Sequence, residues 1–140
     1  MRILSIDPGE KKIGLALSDP DSLFARPLTD FTHTSRPDDA ARIVALAAEH
    51  NAEMILLGLA LDSEGRAGLQ ARRAERLAES IRQLTSLPVV LHDESYSTQT
   101  AQAALIAAGK KRRARRAQIH AASAAALLQS YLDAHAPRPK

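Results

Sequence analysis

With 140 residues and a net charge of +3 from 19 basic and 16 acidic side chains, the chain has the length of one domain. It carries no cysteine, which excludes a disulfide framework, a thiolate zinc site and a cysteine nucleophile together. No apolar run approaches the roughly 20 residues of a membrane span, and Met1-Arg2-Ile3 leads straight into a strand-like segment, so a cytoplasmic protein without membrane contact is expected.

Ile3-Leu4-Ser5-Ile6 reads as a short apolar strand that Asp7-Pro8-Gly9 stops and turns. Lys12 to Ser18 alternates apolar and small residues with period two, as a half-buried strand does. After a turn at Asp19-Pro20-Asp21, Leu23 to Phe31 forms a third strand. Pro27 inside it points to a sheet edge, because proline cannot donate to the ladder. The short connections make these three an antiparallel meander.

The period changes at Ser35, a capping residue followed by Pro37 and by Asp38 and Asp39 in a first turn. Ala40, Ile43, Val44 and Ala47 then recur at helical spacing. Met54 to Leu59 is an unbroken apolar run suited to a strand buried on both faces. Gly68 to Leu84 reads as a helix with Ala74, Leu77, Ala78 and Ile81 inward and its arginines outward. Pro88 to His92 is a fifth strand, followed by Asp93-Glu94. Ser97 caps a helix from Thr98 to Gly109, and a last helix runs from Arg113 to His135. The order βββ-α-β-α-β-α-α predicts one α/β domain over 1–135 with a disordered tail at 136–140. Its five-stranded mixed sheet has three antiparallel strands, then two parallel ones, and is flanked by helices.

In such a sheet, ligands gather beyond the carboxyl ends of the parallel strands. Asp7 closes the first strand and Glu94 the fifth, so both are candidates for one site. Asp7 also fits a plain turn residue, and Glu94 an acid favoured by a helix start. Two carboxylates at one spot repel unless a cation joins them, and hard oxygen ligands suit Mg²⁺ or Mn²⁺. In the last helix His120 shares a face with Ala124, Leu127 and Tyr131, a place that fits a boundary histidine as well as a ligand. Alanines at 121, 122, 124, 125 and 126 keep that helix slim enough to approach the sheet closely. His92 is a weaker candidate, and His33, His50 and His135 read as loop or helix-end residues.

Lys110, Lys111, Arg112, Arg113, Arg115 and Arg116 fall together, interrupted only by Ala114. The cluster suits a solvated helix start, but it also makes a local field that attracts phosphates. The scarcity of aromatic side chains, Phe24, Phe31, Tyr96 and Tyr131, weakens any reading based on stacking unpaired bases. Backbone contacts fit a nucleic-acid partner better.

Four motifs in order carry a family resemblance over nearly the whole chain. They are Asp7-Pro8-Gly9 with Lys11 to Ala16, Gly58 to Leu61, His92-Asp93-Glu94 with Ser97-Thr98, and Ala122 to Leu132. Together they resemble the YqgF/RuvX family of Holliday-junction-resolvase-like proteins, also described as pre-16S rRNA nucleases. The resemblance implies an RNase H-like fold, divalent-metal-dependent phosphodiester hydrolysis and a role in ribosomal RNA maturation. It puts catalytic, metal-holding acids at Asp7 and Glu94, and the family's last-helix acid falls on His120. Relatives in the wider superfamily use histidine there as a metal ligand or general base, and an imidazole shifts the preference toward Mn²⁺. Ser95 and Tyr96 depart from the family's Arg and Leu, and Pro8, Glu10, Ala60 and Asp62 from its aromatic, Thr, Pro and Asn.

The resulting expectation is a catalytic and metal site of Asp7, Glu94 and His120. Asp62, Asp93, Ser97 and Thr98 are accessory candidates, and Lys11, Lys12 and the 110–116 cluster hold the nucleic-acid backbone. RNA, an rRNA precursor and branched DNA all fit as substrates, and monomer and homodimer fit equally. The rival reading is a non-catalytic RNA- or ribosome-binding module. An actin-like ATPase, whose first phosphate loop Asp7-Pro8-Gly9 with Gly14 also resembles, needs two domains, more than 140 residues supply.

Overall fold

The computed structural model describes residues 1–9, 11–59, 68–93 and 112–135, with the helical backbone alone for 112–118. In chain order the elements are β1 (Ile3–Pro8), β2 (Lys12–Ser18), β3 (Ala25–Thr32), α1 (Arg36–Glu49), β4 (Met54–Leu59), α2 (Leu69–Arg82), β5 (Val89–Asp93) and α3 (Arg112–His135). The expected helix over 98–109 and the tail at 136–140 lie outside the described residues.

The strands form one sheet in the order β3-β2-β1-β4-β5. The β1–β2 and β2–β3 pairs are antiparallel, and β1–β4 and β4–β5 are parallel. The mixed sheet is thus the one the alternation predicts. Pro27 sits on β3 at the sheet edge, next to a register shift at Leu15/Ala16. A residue without an N–H is tolerated there because its outer side needs no partner.

Side-chain alternation along the strands divides the core in two. Leu4, Ile6, Ile13, Leu15, Leu17, Ile55, Leu57 and Val89 pack against Ala40, Ile43 and Ala47 of α1 and Ala74, Leu77, Ala78 and Ile81 of α2. Ile3, Ala16, Met54 and Leu56 pack on the opposite face against Ala124, Leu127, Leu128 and Leu132 of α3. Central β1 and β4 are covered on both sides, which explains the unbroken apolar run of β4.

The helix ends follow local chemistry. Ser35 caps α1, its Oγ accepting from the Asp38 N–H at 3.3 Å. Past the other end, Asn51 adopts φ 57, a left-handed conformation that asparagine tolerates well.

Candidate active site

Asp7 is the fifth residue of β1 and the cross-strand partner of Gly14 on β2. Directly opposed residues share a sheet face, so the face of Gly14 is the face of Asp7. A Cβ built on Gly14 would lie 2.0 Å from the carbonyl oxygen of His120, which places α3 directly over that position. Ser5, two residues before Asp7, faces the same way. Its buried Oγ donates to the carbonyl oxygen of Ala124 at 2.9 Å, one helical turn beyond His120. Asp7, half-buried, therefore emerges on the α3 side where His120 crosses the sheet.

The turn after β1 closes the same corner. The Gly9 N–H donates to the Lys12 carbonyl at 3.0 Å. A Cβ on Gly9 would stand 2.3 Å from that carbonyl and 3.5 Å from Cε1 of His120. Glycine is required at 9 and 14 for one reason: another backbone occupies the space of a side chain. The alanine-rich stretch after His120 permits the approach from the helix side. The half-buried His120 ring thus lies against the Pro8-Gly9 turn, on the sheet face that Asp7 shares.

The other sequence candidates are distributed around this corner. Lys11 and Lys12 are exposed on the β1–β2 hairpin, and Lys12 Nζ is 4.0 Å from Asp30. Asp93, the exposed last residue of β5, pairs in register with Leu59 of β4. Strands β1, β4 and β5 run parallel, so Asp7, Leu59 and Asp93 mark the same end of the sheet. Glu94, Asp62, Ser97, Thr98, Lys110 and Lys111 lie outside the described residues. Arg112, Arg113, Arg115 and Arg116 belong to the first turns of α3. Among the described residues no three His, Asp or Glu side chains gather as a metal-holding group.

His92 is turned elsewhere. Its ring meets Tyr131 edge-on at 5.5 Å, and Tyr131 stacks on His135 at 4.1 Å. Burial pushes the His92 pKa below its usual value, the His135 charge adds to this, and Asp93 opposes it.

A pair that the sequence reading missed lies on the opposite face. Asp39 is only 2% exposed, its carboxylate bonded to Nδ1 of His33 and accepting the Thr34 N–H at 3.3 Å. In the sequence Asp39 reads as a first-turn acid. The missed signal is its position four residues before Ile43, on the apolar stripe of α1, where a carboxylate requires a partner.

A five-stranded mixed sheet in the order β3-β2-β1-β4-β5 with a long helix over one face is the arrangement of an RNase H-like domain. The fold matches RuvC from T. thermophilus in complex with a Holliday junction substrate, with TM-score 0.61 and 19% identity over 96% of this chain and 94% of that one. It also matches the Fowlpox virus resolvase bound to Holliday junction DNA, with TM-score 0.61 and 12% identity over 98% and 100%. The chain belongs to the RuvX family, whose model, described as Holliday junction resolvase, matches residues 1–134. A relative from Geobacillus kaustophilus is 42% identical over 95% of this chain and 98% of its own length. One from Anaeromyxobacter sp. is 39% identical over 95% and 97%. Both bear the name "Putative pre-16S rRNA nuclease". No described helix is long and apolar enough to cross a membrane.

Proposed function

We propose that the protein is a divalent-metal-dependent nuclease that hydrolyses phosphodiester bonds in a 16S rRNA precursor, in the cytoplasm. The observation that carries this reading is that Asp7 pairs with Gly14, against which the His120 backbone lies while the His120 ring lies beside Gly9, in a chain of the RuvX family. The donor chemistry fits a hard cation: a carboxylate and an imidazole at one corner, with Glu94 following directly on β5 as a second carboxylate. Asp7, Glu94 and His120 would hold Mn²⁺ or Mg²⁺, with the imidazole favouring Mn²⁺. The bound cation supplies Lewis-acid polarisation of the phosphoryl oxygen and a lowered pKa for the attacking water.

The chain's own groups do the rest. His120, held against the Pro8-Gly9 turn, either completes the cation's ligand set or, left off it, orients the attacking water and takes its proton. The water oxygen bonds to phosphorus as the bond to the leaving oxygen breaks, and that oxygen ends protonated. Lys11 and Lys12 on the hairpin, and the basic start of α3, hold the backbone on either side.

A cleavage panel tests this reading. Single-stranded RNA, an RNA–DNA hybrid and a four-way DNA junction are incubated with Mg²⁺, Mn²⁺ or EDTA. Cutting of RNA that requires the cation is the expected result, and preferential cutting of the junction would make the protein a branched-DNA resolvase instead. The histidine at 120, in place of the family's acid, favours one rival, a non-catalytic RNA-binding module. RNA binding without metal uptake by calorimetry, and without cutting, would establish that rival.

A further inference from the structure

The Pro8-Gly9 turn has two sides. One meets His120, and the other lines a cleft of about 450 Å³ between the start of α1 and the outer face of α2. Arg36, Arg73, Arg76 and His33 line this cleft, with the buried Asp39 behind His33. Arg73 is half-buried, while Arg36 and Arg76 are exposed. None of the three guanidinium groups has an ion-pair partner among the described residues. Glu75 and Glu79 border a neighbouring recess with Arg36 and Arg76, but the acid that pairs there is Glu79, with Arg82 at 3.7 Å. Asp39 engages Nδ1 of His33, so Nε2 is the ring nitrogen left for a ligand.

Three unpaired arginines converging on one concavity repel each other unless an anion joins them. Planar guanidinium forks match phosphate oxygens in geometry as well as charge. We infer that this cleft is a phosphate subsite for the nucleic-acid strand, built by Arg36, Arg73 and Arg76 with His33, and reached across the Pro8-Gly9 turn from the Asp7–His120 corner. This rests on the nucleic-acid reading above and adds to it a second point of backbone contact. A strand crossing the turn is held on the α1–α2 side while the bond to be cut lies on the α3 side. Asp39 is a positioning residue that fixes the His33 ring.

The test is binding without metal, so that it does not depend on cleavage. Fluorescence anisotropy of a short fluorescein-labelled single-stranded RNA, in EDTA and over a range of KCl, gives the slope of log affinity against log salt. The R73Q/R76Q double variant is expected to weaken binding and to flatten the slope by about 0.7 for each lost contact. R72Q serves as control: Arg72 is exposed on α2 but does not line the cleft, and its slope stays at the parent value. An unchanged slope in the double variant overturns the subsite, as does an equal fall in R72Q. Inorganic phosphate binding lost in the double variant, with the RNA slope unchanged, would assign the cleft to a free anion and also overturn it. A flattened slope in a protein that cuts nothing supports the subsite and removes only the nuclease reading.

Discussion

Gly14 of β2 and His120 of α3 are in direct backbone apposition, a Cβ at 14 falling 2.0 Å from the carbonyl oxygen of 120. A single hydrogen atom in place of a side chain thus sets how deep α3 sits and where the His120 ring meets the turn after Asp7. Fold and site depend on the same contact.

Gly14→Ala should accordingly be costly. The obstacle is the α3 backbone at His120 and Ala121, which cannot rotate away as a flexible side chain can. Overpacking of this kind costs about 1–3 kcal/mol, and here the upper end is expected. Urea unfolding of the variant measures it. A stability within error of the parent would mean that α3 is not seated as described.

Ser5→Ala removes the buried bond from Oγ to the Ala124 carbonyl. A net loss of about 1 kcal/mol is expected from the same unfolding assay. Ser5→Val should lose more, since its extra methyl must enter the space beneath α3.

Asp19 orders the β2–β3 turn. Its Oδ1 accepts the N–H groups of Phe24 at 2.7 Å and Leu23 at 2.8 Å, and Oδ2 accepts that of Asp21 at 3.2 Å. The Phe24 N–H first, with those of Leu23 and Asp21, holds the carboxyl below its usual pKa against a smaller opposing effect of burial. A depressed folded-state pKa gives stability that is full above the unfolded value of about 3.9 and is lost as pH falls through the folded one. The Tm difference between the parent and Asp19→Ala should therefore be constant near neutrality and shrink once pH drops below about 4. A difference that persists unchanged into stronger acid contradicts the assignment.

Neutralising Arg112, Arg113, Arg115 and Arg116 to glutamine should weaken RNA binding and flatten its salt dependence by about 0.7 per lost phosphate contact. The same anisotropy assay reads it. An unaltered slope would take the start of α3 out of the interface.

Much of the fold was legible because its determinants are local. Period two gave way to helical spacing at Ser35, and Pro27 marked the edge strand without any knowledge of its neighbours. The run of alanines in the last helix implied close approach to the sheet, and Gly14 is where that approach occurs. Of the candidate site, Asp7 was visible as the acid ending a strand before Pro-Gly, while the face it shares with Gly14 came only from the register of β1 on β2. His33 and Asp39 were not legible. Their partnership joins a loop to the buried face of α1, and a local reading sees only a loop histidine and a first-turn acid. The cleft was hidden for a similar reason: Arg36 and Arg76 are forty positions apart in sequence and meet only through the packing of α1 on α2. Glu94 stands beyond the described residues, so its place in the site rests on the family's motif and on its position directly after β5.

We propose Asp7 as a metal-holding catalytic carboxylate. The most direct measurement compares the cleavage rate of Asp7→Asn with that of the parent on RNA in Mn²⁺, with metal-free RNA binding and circular dichroism in parallel. Because the change removes charge while keeping shape, loss of at least two orders of magnitude in rate is expected, on the order of what losing a principal catalytic electrostatic group costs, with binding and fold retained. A variant that cuts as fast as the parent would show that Asp7 is not the catalytic carboxylate.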